Sequence, residues 1–193
     1  MSISEARKLI RDWFAPQPLT EQFMKARRED PLYGRTYETP LGRIRPFGLV
    51  TEKNKNGVMN EAGNFPIQST ASDMTVWSVC ELVEKFYALN EELGFEAARL
   101  VNTVHDSIIP EVYADEKIIK RVRDIMRETM ESAGEILLNT EVPMKADFEL
   151  GHRWGELYEF DFEGDSIVIH KKVNGEKIDI DFQTFMQEKK QAA

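Results

Sequence analysis

A single cysteine, Cys80, stands among the 193 residues, so no internal disulfide can form and a reducing compartment is the natural setting. Long apolar runs are missing too. Nothing approaches the roughly 20 residues that a membrane-spanning helix needs, and no membrane association is expected. The opening residues, MSISEARKLIRDW, are charged and helix-like and lack the apolar centre of a secretion signal, which predicts a cytoplasmic location. Internal repeats, low-complexity tracts, a Gly-rich phosphate loop and zinc-ligand spacing are absent as well, which removes several nucleotide- and metal-binding classes. Basic residues are scarce overall: 25 Lys and Arg face 34 Asp and Glu, and the net charge of -9 argues against an isolated nucleic-acid binder. The deficit is uneven. Residues 1–60 carry 11 Lys/Arg against 7 Asp/Glu, while the remainder carries 14 against 27. Any contact with phosphates made through many charges therefore belongs in the first third.

What is present is an ordinary water-soluble composition, 41% hydrophobic and 31% charged, enough for one cored domain with a small appendage. Ser2 and Glu5 form a capping-box pair ahead of the apolar stripe Ala6, Leu9, Ile10, Trp13 and Phe14, predicting a helix over 2–15. Pro16 and Pro18 end it, and Thr20 is the expected cap of a second helix to about Arg28. Residues 35–47, RTYETPLGRIRPF, read as a hairpin turning at Pro40-Leu41-Gly42, followed by a polar loop over 51–57. A long helix is expected from about Ala71 to Leu93, with Val76, Val79, Cys80, Val83, Phe86 and Tyr87 on its inner face. Residues 98–113 hold two β-prone runs either side of His105-Asp106-Ser107, a hairpin with a polar tip. A further helix spans Asp115 to Leu138, with Ile118, Ile119, Val122, Ile125, Met126, Met130, Ala133, Ile136 and Leu137 inward. A strand is expected over 142–150. Beyond Trp154 the chain turns acidic and β-rich, and Asn174-Gly175 between two alternating runs is a hairpin signal ahead of a short charged helix.

Phosphoryl transfer by a two-metal route needs carboxylates converging on two Mg²⁺ ions, and magnesium accepts one or two protein carboxylates alongside substrate phosphates. An aspartate at a hairpin tip suits that task, because strand pairing fixes its backbone while the turn exposes its carboxylate. Taken alone, Asp106 at such a tip is a weak signal, since polar residues are common in turns.

Order and spacing carry more. Asn64-Phe65-Pro66-Ile67-Gln68-Ser69-Thr70-Ala71-Ser72-Asp73 opens the long helix, and Val104-His105-Asp106-Ser107 follows after it. The first segment resembles the Asn-x-Pro-x-Gln-(Gly/Ser)-x-Ala-x-Asp motif of family A (polymerase I-like) DNA polymerases, and the second resembles their motif C. Thr39-Pro40-Leu41-Gly42-Arg43-Ile44-Arg45 is similar to the family's arginine-rich hairpin. Val142-Pro143 and Gly151-His152-Arg153-Trp154-Gly155-Glu156 are similar to its closing segment. Phe65, Ser69 and Ser107 look more like bacteriophage-type members than bacterial ones, which would place the protein in a host cytoplasm.

The resemblance, over about residues 2–157, implies an α+β fold: the C-terminal part of a polymerase palm, an antiparallel sheet with the motif C hairpin packed by long helices. Fingers-derived helices and a basic hairpin would occupy 1–60, the palm part 61–157, and a hairpin-and-helix extension 158–193. It implies that Asp106 binds catalytic Mg²⁺ and that His105 donates to the primer terminus. Asn64 and Gln68 would reach the minor groove or sugar-phosphate, and Arg43 and Arg45 would contact phosphates. Two departures stand out. Ser107 occupies the place of a customary glutamate beside the metal site and cannot serve as a charged ligand. Asn60 occupies a position often held by arginine.

Nothing in the chain resembles the family's motif A, which bears the other catalytic aspartate, or motif B, which holds the incoming nucleotide. Asp73, Glu111 and Asp115 read as surface positions at helix or strand ends rather than as a second metal ligand. The expectation is a chain split or truncated ahead of both motifs and inactive alone. It would act in template-directed addition of dNTPs to a primer-template when an N-terminal polymerase subunit supplies the rest. The alternative from another class is a polymerase remnant that works as a non-catalytic protein-binding module.

Overall fold

The computed structural model describes residues 1–173 and 176–191. The chain divides into two compact units, the first Met1–Asp73 and the second from Met74 onward.

In the first unit, α1 spans Ile3–Phe14 and begins on the expected capping box, with Ser2 accepting from the Glu5 amide while the Glu5 carboxylate accepts from the Ser2 amide. Helix α2, Pro18–Glu29, starts earlier than expected: Pro18 takes the first turn, where its missing N–H costs nothing, and Gln17 rather than Thr20 sits at the cap. A 3-10 turn, Asp30–Tyr33, closes on Gly34. Neither α1 nor α2 contains a buried residue, and Ala62 is the one non-proline apolar side chain buried among the described residues of this unit. Charge does the organising instead. Asp30 is buried, with the Nε atoms of Arg27 and Arg35 at 3.2 and 3.3 Å.

The expected hairpin over 35–47 reduces to its turn. The Gly42 amide donates to the Thr39 carbonyl at 2.8 Å and the Thr39 amide to the Arg43 carbonyl at 3.0 Å, but pairing beyond the turn is a single bridge, Glu38 with Ile44. Pro46 cannot donate to a ladder, so the strands do not extend. Gly42 has φ 79°, the left-handed conformation that lets the chain double back after Pro40-Leu41.

Helix α3 runs from Lys55 to Leu93, 39 residues, starting well before the expected Ala71 and absorbing the end of the predicted polar loop. It passes through Pro66, which deprives the Ala62 carbonyl of its usual intrahelical donor. Gly63 allows a close crossing with α2: a Cβ there would lie 2.7 Å from Cγ of Arg28.

The second unit has two apolar centres on one helix. Helix α4, Glu116–Leu138, is capped by Asp115, which accepts from the amides of Lys117 and Ile118 at 3.0 and 3.1 Å. Its Val122 and Met126 pack with Leu82, Phe86 and Leu89 of α3, Ala98 of β1 (Ala98–Val104) and Ile108 of β2 (Ser107–Val112). The inner face of α3 is thus offset from the expected one. Leu82, Phe86 and Leu89 are buried, whereas Val76, Cys80 and Tyr87 are exposed, because the helix is apolar on two sides and only one meets α4. Ile136, expected inward, is exposed near the end of α4.

On its other side α4 sends Ile119 into a cluster with Ile167, Ile169, Phe182 and Phe185. These come from a four-stranded antiparallel meander of β3 (Glu149–Arg153), β4 (Glu156–Glu163), β5 (Ser166–Val173) and β6 (Glu176–Asp181), followed by α5, Phe182–Gln191. The strand expected over 142–150 begins only at Glu149. Strands β5 and β6 pair as the alternating pattern implied, while Asn174-Gly175 lies outside the described residues. Strands β4, β5 and β6 therefore share one sheet with β3. Gly151 is required at the β3–β4 irregularity, where a Cβ would fall 2.0 Å from the Glu156 carbonyl oxygen. His152 stacks on Phe185 at 4.0 Å, and its Nε2 lies 2.8 Å from the Phe185 carbonyl. No helix among the described residues is long and apolar enough to cross a membrane.

Two predictions follow from this packing. Phe185→Ala removes a buried ring that touches His152 and Tyr158, and urea unfolding of the variant should show a loss of roughly 3–5 kcal/mol. On the open sheet face, His170 lies between Asp179 Oδ1 at 2.7 Å and Asp161 Oδ2 at 3.2 Å, with Glu159 as its cross-strand neighbour. The hydrogen bond to Asp179 chiefly, then that to Asp161, raises the imidazole pKa above its ordinary 6.5. The protonated ring thus stabilises the sheet fully below that value, and the contribution fades as pH rises through the elevated folded-state pKa. NMR titration should place the His170 midpoint above 6.5, and Asp179→Asn should lower it; a midpoint at or below 6.5 would contradict the bracketing.

Candidate active site

In the second unit the sequence-predicted residues His105, Asp106 and Ser107 form the tip of the β1–β2 hairpin. Val104 pairs with Ser107, leaving His105-Asp106 as a two-residue turn. His105 has φ 56° and Asp106 does not, the pattern of a turn with a left-handed first position. Glycine is the usual occupant there; histidine is tolerated at a cost of about 1–2 kcal/mol. All three side chains are exposed. Among the described residues no hydrogen bond or ion pair engages the Asp106 carboxylate.

The hairpin is held at its base. Asn90 of α3 accepts from the amides of Ala97 and Ala98 at 2.8 and 3.0 Å and donates to the Ala98 carbonyl at 2.8 Å. Ile108, next but one after Asp106, is buried in the α3–α4 cluster, so the turn is fixed within two residues of an apolar anchor. Most of β1 is exposed, with an extra residue bulged at Val101, and among the described residues each strand pairs only with the other. Glu111 is a surface residue, as expected, paired with Arg99.

In the first unit, Asn64 and Gln68 are exposed on α3 one turn apart. Glu61 and Ser72 continue that face in either direction. Arg45 ion-pairs with Glu61, and Arg43 Nη1 donates to Ser72 Oγ at 3.4 Å, so the two arginines flank Asn64 and Gln68. Both arginine side chains remain close to half exposed.

Asp73 departs from expectation. It is fully buried rather than superficial: Oδ2 accepts from the Leu41 amide at 3.1 Å, and Oδ1 lies 3.0 Å from Arg43 Nη2. The Oδ1 contact is a charge pairing without hydrogen-bond alignment. Periodicity held no signal of this, since Val76 and Cys80, three and seven positions further along the same stripe, are exposed.

Among the described residues no group of three or more His, Cys, Asp or Glu side chains converges as a metal site. Asp106 thus offers one carboxylate. That fits a single protein ligand of a magnesium ion whose other oxygens come from substrate and water, and not a complete two-metal cage.

The sequence profile described as DNA polymerase family A matches residues 1–156. The chain is 31% identical over 113 residues to DNA polymerase I of Aquifex aeolicus and 27% identical over 168 residues to the DNA polymerase of Bacillus phage SP01. These alignments cover 58% and 84% of the chain but 18% of each relative, so the chain spans about a fifth of the length of the curated relatives it matches. Among solved structures it is similar to the POL domain of Pol1 from M. smegmatis, in complex with DNA primer-template and dNTP. The TM-score is 0.58 at 20% identity, over 69% of this chain and 23% of that one. That likeness is one of fold, in keeping with the α+β palm architecture that the motifs imply.

The strained turn gives a direct test. His105→Val places a β-branched side chain at φ 56° and should lower stability by roughly 1–2 kcal/mol in urea titration, while His105→Gly should leave it unchanged or slightly higher. Equal stability of the valine variant would argue against a left-handed residue 105.

Proposed function

Because this chain belongs to DNA polymerase family A, we propose that it is the C-terminal part of a DNA-directed DNA polymerase, completed by a polypeptide that supplies motifs A and B. The observation that carries the reading is the Asp106 carboxylate. It is exposed, unengaged by other described residues, and held on an anchored turn, in the segment whose sequence resembles the family's motif C.

In this reading Asp106 holds Mg²⁺, which when bound stabilises charge on the attacking and leaving oxygens of the phosphoryl transfer. The chain's own groups orient the nucleic acid. His105, beside Asp106 in the same turn, donates to the primer terminus. Asn64 and Gln68 present amides, able both to donate and accept, toward the minor groove or sugar-phosphate. Arg43 and Arg45 contact backbone phosphates, Arg45 by exchanging Glu61 for a phosphate oxygen. Ser107 contributes no charge, leaving Asp106 as the sole carboxylate at the tip.

The need for a second polypeptide has physical support. Among the described residues the β1–β2 hairpin has unpaired edges, and a two-stranded sheet is marginal without further pairing. Ile3, Leu9, Ile10 and Trp13 line one exposed face of α1, and Val76, Cys80 and Tyr87 another on α3. Faces of that kind are normally covered by protein. The second reading, a non-catalytic binding module, draws on Ser107 and on the acidic balance of residues 61–193.

Primer extension separates them. The chain mixed with a polypeptide bearing motifs A and B should extend a primer in Mg²⁺ and dNTPs. Asp106→Ala should lower the rate by roughly 10³-fold, about 4 kcal/mol, with association of the two polypeptides unchanged. Extension that survives the substitution removes the catalytic assignment. Association without any extension by the unaltered chain favours the binding module.

A further inference from the structure

We propose that Asp73 is a positioning residue for nucleic acid: its buried carboxylate locks the Thr39–Arg45 turn and orients the Arg43 guanidinium toward a backbone phosphate. This rests on the reading of Arg43 as a phosphate contact.

The geometry is specific. One carboxylate oxygen takes the Leu41 amide at 3.1 Å, fixing the turn's backbone at its second central residue. The other lies 3.0 Å from Arg43 Nη2, two residues further on. Thr39, itself buried, closes the loop through its hydroxyl, which accepts from the Arg43 amide at 3.1 Å. Arg43 is thus held at both backbone and side chain. Its guanidinium has five donors in a rigid plane, and one edge is committed to Asp73 and Ser72. The side chain is nevertheless 45% exposed, leaving the remaining donors open to a ligand on the α3 face that carries Gln68. A fully buried carboxylate with no direct exposure cannot touch DNA, so any influence it has must pass through Arg43 and the turn.

This yields a sign that simple electrostatics does not. Asp73→Asn removes a negative charge from a chain of net charge -9, and long-range attraction alone would tighten DNA binding. Positioning predicts weaker binding. The measurement is fluorescence anisotropy of the full chain with a labelled primer-template duplex across a salt series. Circular dichroism serves to verify that each variant retains its helix content. Arg43→Ala should reduce the slope of log affinity against log salt by about 1, as for one lost phosphate contact. Asp73→Asn should weaken binding several-fold and reduce the slope by the same amount, and adding it to Arg43→Ala should change the slope no further. Arg43→Lys keeps the charge and, by committing its single ammonium to Asp73, should also lose the contact; this arm stands even if Asp73→Asn does not fold. A full slope in Asp73→Asn or in Arg43→Lys overturns the positioning role. An unchanged slope in Arg43→Ala overturns the phosphate reading of Arg43, and the positioning role with it.

Discussion

A buried carboxylate must be matched by positive charge, and the first unit is organised by meeting that requirement twice. Asp30 gathers Arg27 and Arg35; Asp73 gathers Arg43 and the Leu41 amide. Pairs of this kind contribute little net stability, because desolvating both charges offsets much of their attraction. What they provide is geometry, since an unpaired carboxylate in the same place would be costly. The first unit buries almost no apolar surface of its own, so the shape of the basic turn owes more to Asp73 than to packing.

The second unit solves a different problem. Its central helix, α4, is apolar on two sides and separates two clusters, one with α3 and the hairpin, the other with the C-terminal sheet and α5. The hairpin is therefore gripped at Ala97, Ala98 and Ile108 and released at its tip. A carboxylate proposed to hold a metal ion would benefit from that division. Its backbone is anchored, yet no neighbour among the described residues competes for its charge. The left-handed His105 belongs to the same economy: strain is tolerated where strand pairing on one side and an apolar plug on the other over-determine the turn.

Much of this was legible in the residues, and the failures share a cause. The Ser2–Glu5 capping box, the α4 stripe and the polar hairpin tip are local patterns, set by hydrogen bonding or periodicity within a few residues, and each appears where expected. Helix α3 misled because it has two apolar sides, and periodicity cannot say which one meets a partner. Pro66 signalled a boundary that the helix does not observe, and Pro46 withdrew donors from a hairpin that the β-formers of 35–47 suggested. Asp73 was missed because burial of an acid is decided by its counter-ion, which lies 30 positions away at Arg43.

An acidic chain proposed to handle nucleic acid looks contradictory only if charge is averaged over the molecule. Exposed charges separated by more than a Debye length, about 8 Å at physiological ionic strength, are largely screened from one another. The excess of Asp and Glu lies after residue 60, whereas Arg43 and Arg45 belong to the one region with a basic surplus. A phosphate at that turn would feel the nearby guanidinium groups far more than distant carboxylates. The carboxylates that do lie close, Asp73 and Glu61, face the arginines rather than the solvent side of the turn, or can be exchanged. Local arrangement rather than net charge then decides what this surface can hold, and that arrangement depends on an aspartate that no ligand could reach.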